Sequence, residues 1–121
     1  MTAIEIWICK DESWGTTDIR GFRVEARDGE VGKIDEATYE AASSYVVVDT
    51  GPWIFGTKVM LPGGVISRVD AAEKTVHADL TKDEIKDAPE FDADAYKTDD
   101  YRSKLAGYYE QQKERAFRSH V

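Results

Sequence analysis

The chain has one cysteine, Cys9, and two histidines, His77 and His120, among its 121 residues. A single thiol forms no intramolecular disulfide, and it offers no ligand cluster for structural zinc or an iron–sulfur centre. Cys9 reads as a small hydrophobe rather than a reactive group. Long apolar runs are also missing, since nothing approaches the roughly 20 residues that a spanning helix needs. The opening residues, MTAIEIWICKDE, lack the basic start and long apolar core of a secretory signal. A cytoplasmic chain with no membrane span is expected.

Positive charge is scarce over most of the chain. The net charge is −8, yet residues 101–121 hold five basic against two acidic side chains, a net of +3. The first hundred residues therefore carry −11. Such an acidic body repels nucleic-acid phosphates and anionic lipid, so nucleic acid is not an expected partner. The length fits one core with extensions.

What is present is a series of short strand patterns. Ile4, Ile6 and Ile8 alternate with Glu5, Trp7 and Cys9, a period of two that predicts an N-terminal strand. Phe22, Val24 and Ala26 share one face of a second strand. Asp28-Gly29 suits the positive φ angles of a tight hairpin, and residues 30–36 return with Val31 and Ile34 as apolar contributors. Tyr45-Val46-Val47-Val48-Asp49 reads as a strand buried on both faces. Residues 58–61, 65–69 and 75–80 supply further strands, and short strands divided by Gly, Pro and Asp turns indicate a small barrel or sandwich.

Two helices are expected after the strands. Thr81-Lys82-Asp83-Glu84 matches a capping box, which predicts a short helix that stops before Pro89. Residues 90–100 are acidic and poor in aliphatics, as in a linker. Thr98 or Asp99 can cap a final helix whose Tyr101, Leu105, Tyr108, Tyr109 and Phe117 approximate one stripe. A lone helix of that length is marginal in water, so the stripe needs a surface to cover. That surface is either its own barrel or a neighbouring subunit.

Taken in order, four runs resemble the PRC-barrel family. They are Gly21-Phe22-Arg23-Val24-Glu25-Ala26, Asp28-Gly29-Glu30-Val31-Gly32-Lys33-Ile34, Tyr45-Val46-Val47-Val48-Asp49 and Val59-Met60-Leu61-Pro62. That family includes the cytoplasmic domain of the photosynthetic reaction-centre H subunit, the C-terminal domain of RimM and small stand-alone bacterial proteins. The runs at residues 49–56 and 81–89 look most like the stand-alone bacterial members. The resemblance implies a β-barrel of about six strands, used for binding rather than catalysis, and with the two helices read above the expected fold is all-β, a small PRC-type barrel with a short capping helix and a C-terminal amphipathic helix. The resemblance covers about residues 21–89, so with the readings above the chain divides into an N-terminal extension with a possible strand (1–20), a barrel (21–89), an acidic linker (90–100) and a basic helix (101–121). The family has no common catalytic residues to carry over, and neither membrane anchoring nor ribosome maturation transfers.

For function, an enzyme needs acids, bases or nucleophiles in tuned positions. His77 alternates out of the apolar face near Val76, Ala78 and Leu80, and His120 lies at the terminus, so both read as surface residues. Asp28-Gly29-Glu30 lacks the recurrent oxygen ligands of a calcium loop. No catalytic, cofactor or metal residue is expected. The run Pro52-Trp53-Ile54-Phe55-Gly56 puts three large apolar side chains in one connection, where they either form a contact site or plug the barrel end. The tyrosines of the tail could stack on bases, but helical spacing favours protein packing.

The expectation is therefore a non-enzymatic interaction or scaffold module, a homo-oligomer and most simply a dimer, or one that binds a protein partner. Its contact residues are Trp53, Ile54, Phe55, Tyr101, Leu105, Tyr108 and Tyr109. The alternative is a small-molecule-binding or catalytic barrel with an interior pocket, for which a compact barrel filled by its own Val, Ile and Leu leaves little room.

Overall fold

The computed structural model describes the backbone of residues 5–8, 12–39, 44–51, 58–89, 91–92 and 94–119, with side chains of 6–8, 14–39, 44–51, 58–89, 91–92 and 94–112. Six strands form one mixed sheet: β1 (Arg23–Ala26), β2 (Gly29–Thr38), β3 (Tyr45–Asp49), β4 (Lys58–Pro62), β5 (Ile66–Asp70) and β6 (Thr75–Ala78). Their order is β4-β3-β2-β1-β6-β5, antiparallel except where β1 runs parallel to β6. Two helices follow, α1 (Lys82–Lys86) and α2 (Asp99–Ser119). The result is a mostly-β, barrel-like fold.

β2 bends the sheet. Val31 and Ile34 are both buried although three residues apart, which a regular strand of period two forbids on one face. The register breaks twice along β2, between the pairs Val24↔Gly32 and Glu25↔Glu30, and again between Ile34↔Val48 and Glu36↔Val47. Each break leaves one extra residue on β2, and such bulges sharpen local twist. The first part of β2 thus pairs with β1 and the rest with β3. Gly32 lies where the strands close most tightly, since a Cβ there would sit 2.1 Å from the Asp49 carbonyl oxygen. β3 is buried on both faces from Tyr45 to Val48, as its unbroken apolar run requires.

Two expectations are corrected. The N-terminal strand is absent over its described part, because Glu5–Trp7 form a 3₁₀ turn. Ile6 is fully buried and Ile8 is 43% exposed, whereas one strand face would give them like surroundings. A long-range bond explains the turn: Ser44 N–H donates to the Trp7 carbonyl at 2.9 Å, and Gly63 N–H donates to the Ser44 carbonyl at 2.7 Å. The β1–β2 hairpin also turns one residue earlier than Asp28-Gly29 suggested. Ala26 pairs with Gly29 across Arg27 and Asp28, and Gly29 opens β2 with φ +147°. Asp28 has another task there, for its Oδ1 accepts the Lys82 N–H at the start of α1, at 2.8 Å. α1 carries the expected capping box, with Glu84 N–H donating to Thr81 Oγ1 at 3.2 Å and Thr81 N–H to Glu84 Oε1 at 2.8 Å.

One apolar core runs through all these parts. Ile6, Trp7, Trp14 and Ile19 of the N-terminal region share it with the strands, with Ile85 of α1 and with Tyr101, Leu105, Ala106 and Tyr109 of α2. Phe91 and Tyr96, in the acidic connection, pack against it.

Candidate functional site

α2 starts at a local signal. Thr98 accepts the Tyr101 N–H on its hydroxyl at 3.3 Å and the Arg102 N–H on its carbonyl at 3.1 Å, and Asp99 and Asp100 place negative charge at the positive end of the helix. From there Tyr101, Leu105, Tyr109 and Gln112 recur at four, four and three residues, which puts them on one face. That face is buried: Leu105 and Tyr109 have no exposed surface and Tyr101 keeps 9%. Burial of a large apolar side chain is worth about 1.5–3 kcal/mol each.

The surface beneath is made from three separate regions. Trp7 of the N-terminal turn and Tyr45 of β3 flank the Arg102 guanidinium, at 4.4 and 5.8 Å from their ring centroids. Such a cation–aromatic contact adds about 0.5–2 kcal/mol. Tyr96 meets Tyr45 edge-on at 6.2 Å and Phe91 at 5.0 Å, while its hydroxyl donates to both Glu36 carboxylate oxygens at 3.2 and 3.3 Å. Burial, then the charge of Glu36, raises the Tyr96 phenol above its ordinary range. Tyr108, half-buried, donates its hydroxyl to the Glu84 carbonyl of α1. This cradle of Trp7, Tyr45 and Glu84 is a groove shaped for an amphipathic helix, with Tyr96 bracing Tyr45 from the side.

The groove does not satisfy everything placed in it. Tyr101 Oη, Tyr109 Oη and Glu110 Oε1 are buried without a hydrogen-bond partner, and they are the buried side-chain atoms in that position among the described residues. All three belong to α2. Burial pushes the Tyr101 phenol up to about 12, with the charge of Asp92 adding to it. Tyr109 is raised well above its usual value by burial first, and then by Tyr108, Tyr101 and Glu84.

Of the sequence-derived contact residues, Tyr101, Leu105 and Tyr109 face this chain's own core, and Tyr108 lies at its margin. Trp53, Ile54 and Phe55 lie outside the described residues, as do Cys9 and His120. β3 ends at an open groove of about 420 Å³ lined by Glu30, Val31, Gly32, Lys33, Asp49, Thr50 and Gly51. His77 is partly exposed on β6, where its Nε2 lies 3.1 Å from the Arg68 guanidinium and accepts from it. Among the described residues no three of His, Cys, Asp and Glu converge as metal ligands, and no helix is long and apolar enough to cross a membrane. Sequence reasoning missed the Arg102 cluster. Its signal was faint: an arginine three positions before Leu105, with ring partners that lie far away in sequence.

No family model matches the chain, and no curated protein matches it. Among solved structures, a Pseudomonas aeruginosa protein described as a candidate 16S ribosomal RNA processing protein, RimM, is similar at 21% identity with a TM-score of 0.44. The match covers 54% of this chain and 42% of that one.

Proposed function

We propose that this chain is a PRC-barrel-type protein-interaction module, a non-enzymatic scaffold that self-associates or binds a protein partner through the apolar tip Trp53, Ile54, Phe55 and the tail helix. The observation that supports this reading is the helix groove. Beside Trp7, Tyr45 and Glu84 an amphipathic helix lays its apolar face on the body, the geometry that helix-in-groove recognition uses between proteins. The acidic body and basic tail add complementary charge within or between copies.

Light scattering over the micromolar range tests it, with a mass of two chains expected. Changing Trp53 and Phe55 together to Ser should weaken association by about 30-fold, the effect of losing one strong contact residue of about 2 kcal/mol, while leaving the thermal midpoint of the barrel in place. A single-chain mass at every concentration, together with no protein cross-linked to the tip, rejects the reading. A second reading, a small-molecule-binding or catalytic barrel, rests on the open groove at Lys33 and Asp49. Thermal shifts with small polar ligands that vanish on Lys33→Ala would favour it instead.

A further inference from the structure

We infer that the outer face of β5, β6, β1 and β2 is a self-association surface, on which a second copy of this chain docks about a two-fold axis running across the four strands. The inference rests on the self-association proposed above and gives it a surface other than the tip and the tail helix.

Strand register carries it. Arg68, His77, Glu25 and Glu30 are successive cross-strand partners from β5 to β2, and Asp70, Thr75, Arg23 and Lys33 make the neighbouring row. Each strand gives one residue to each row. On β5, β1 and β2 those two residues are opposite in charge. A half-turn about an axis lying between the rows exchanges them. Arg23 of one copy then faces Glu25 of the other, Lys33 faces Glu30 and Arg68 faces Asp70, and every pair occurs twice, as an isologous interface requires. The β2 bulge makes this match possible. Glu30 and Lys33 are both exposed although three residues apart, and a regular strand would put them on opposite faces. The extra residue between the pairs Val24↔Gly32 and Glu25↔Glu30 returns Lys33 to the outer face, opposite Arg23.

Within one chain the arrangement is unfavourable. Arg23 stands opposite Lys33, and Glu25 opposite Glu30, and like charges directly opposed across two strands are destabilising. None of these four forms an ion pair among the described residues, and Arg23 donates instead to Thr75 Oγ1 at 3.2 Å. A second copy supplies each of them with the opposite charge, so the face is complementary to itself. The net charge of −8 opposes approach at long range. Physiological salt screens that repulsion beyond about 8 Å and spares pairs in contact.

Charge reversal on the full-length chain tests the inference. One variant is Arg23→Glu, Lys33→Glu, the other Glu25→Lys, Glu30→Lys, and sedimentation equilibrium is run on each alone and on an equal mixture. Each variant alone should dissociate at least about tenfold more readily than the wild type, and the mixture should recover the dimer, because an acidic face then meets a basic one. Variants that associate like the wild type, or a mixture that stays monomeric, overturn the inference. If Trp53→Ser, Phe55→Ser still dissociates the chains in that case, self-association itself stands. A single-chain mass for the wild type at every concentration overturns both. A second measurement needs no variant that must fold. Carbodiimide coupling of isotope-labelled with unlabelled wild-type chains should join Lys33 of one to Glu30 of the other, and amides confined within single chains overturn the inference.

Discussion

Tyr109 is fully buried and its hydroxyl finds no acceptor among the described residues. A buried phenol in that state costs about 1–3 kcal/mol, which its ring burial must exceed for α2 to stay docked. Removing the hydroxyl and keeping the ring should therefore be neutral or stabilising. We predict that Tyr109→Phe gains up to about 1 kcal/mol in urea unfolding and raises the thermal midpoint by about 4 °C. A loss of more than about 1 kcal/mol would reveal a hydrogen bond to that hydroxyl. The same phenols predict an alkaline response. Tyr101 titrates near 12 when docked, and Tyr109 is raised as well, whereas a released tyrosine ionises near its ordinary value of about 10. Their contribution to docking is complete below about pH 10 and declines as pH rises from there through the raised folded-state values, because the released helix gives up its protons first. Thermal melts at about pH 9 and about pH 11 should show that decline in the wild type and a smaller one in Tyr101→Phe, Tyr109→Phe. Gly32 marks the opposite kind of constraint. A methyl group there meets backbone at the Asp49 carbonyl, which cannot swing aside as a side chain would. Gly32→Ala should cost about 1–3 kcal/mol in the same unfolding assay, and a neutral result would mean that β2 and β3 separate easily.

At the scale of the elements, α1 links the sheet to α2. Asp28 of the hairpin accepts the Lys82 N–H, and Glu84 of the same short helix offers its carbonyl to Tyr108. Loss of the first bond should be felt at the second. We predict that Asp28→Ala destabilises the fold by about 1 kcal/mol, as cap removal generally does, and speeds hydrogen exchange in α2 as well as α1. Faster exchange in α1 alone would show that the two helices are uncoupled. Elements specified by neighbouring residues were legible in the sequence. The run at residues 45–49 needed nothing but its own apolar side chains, and the capping box at Thr81 and Glu84 lies within one turn. The 3₁₀ turn Glu5–Trp7 was not legible, since Ser44 captures the Trp7 carbonyl from far along the chain. Period-two alternation of isoleucines carries no information about such a bond. The shifted hairpin has the same origin, because Asp28 answers to Lys82 rather than to its own turn.

For the whole molecule, the tail stripe was legible as a packing surface, but its destination was not. Tyr101, Leu105 and Tyr109 have helical spacing whichever body they cover, and the groove that receives them joins Trp7, Tyr45 and Glu84 only in three dimensions. Charge asymmetry contributes to the docking less than this burial does. The ion pairs seen on the described surface, Arg20–Asp18, Arg27–Asp79 and Lys58–Asp35, are exposed, Arg68–Asp70 is partly so at a long 3.6 Å, and each is worth at most about 1 kcal/mol. Salt should accordingly slow the encounter of copies more than it loosens the docked helix. The central claim is that α2 fills a helix groove on its own chain's body, and the proposal built on it is that copies of this chain associate. Hydrogen exchange across residues 101–112, followed over a range of protein concentrations, tests it most directly. The account predicts slow exchange for the buried stripe, with protection that increases as concentration rises. Exchange as fast as that of an unfolded peptide at every concentration would contradict it.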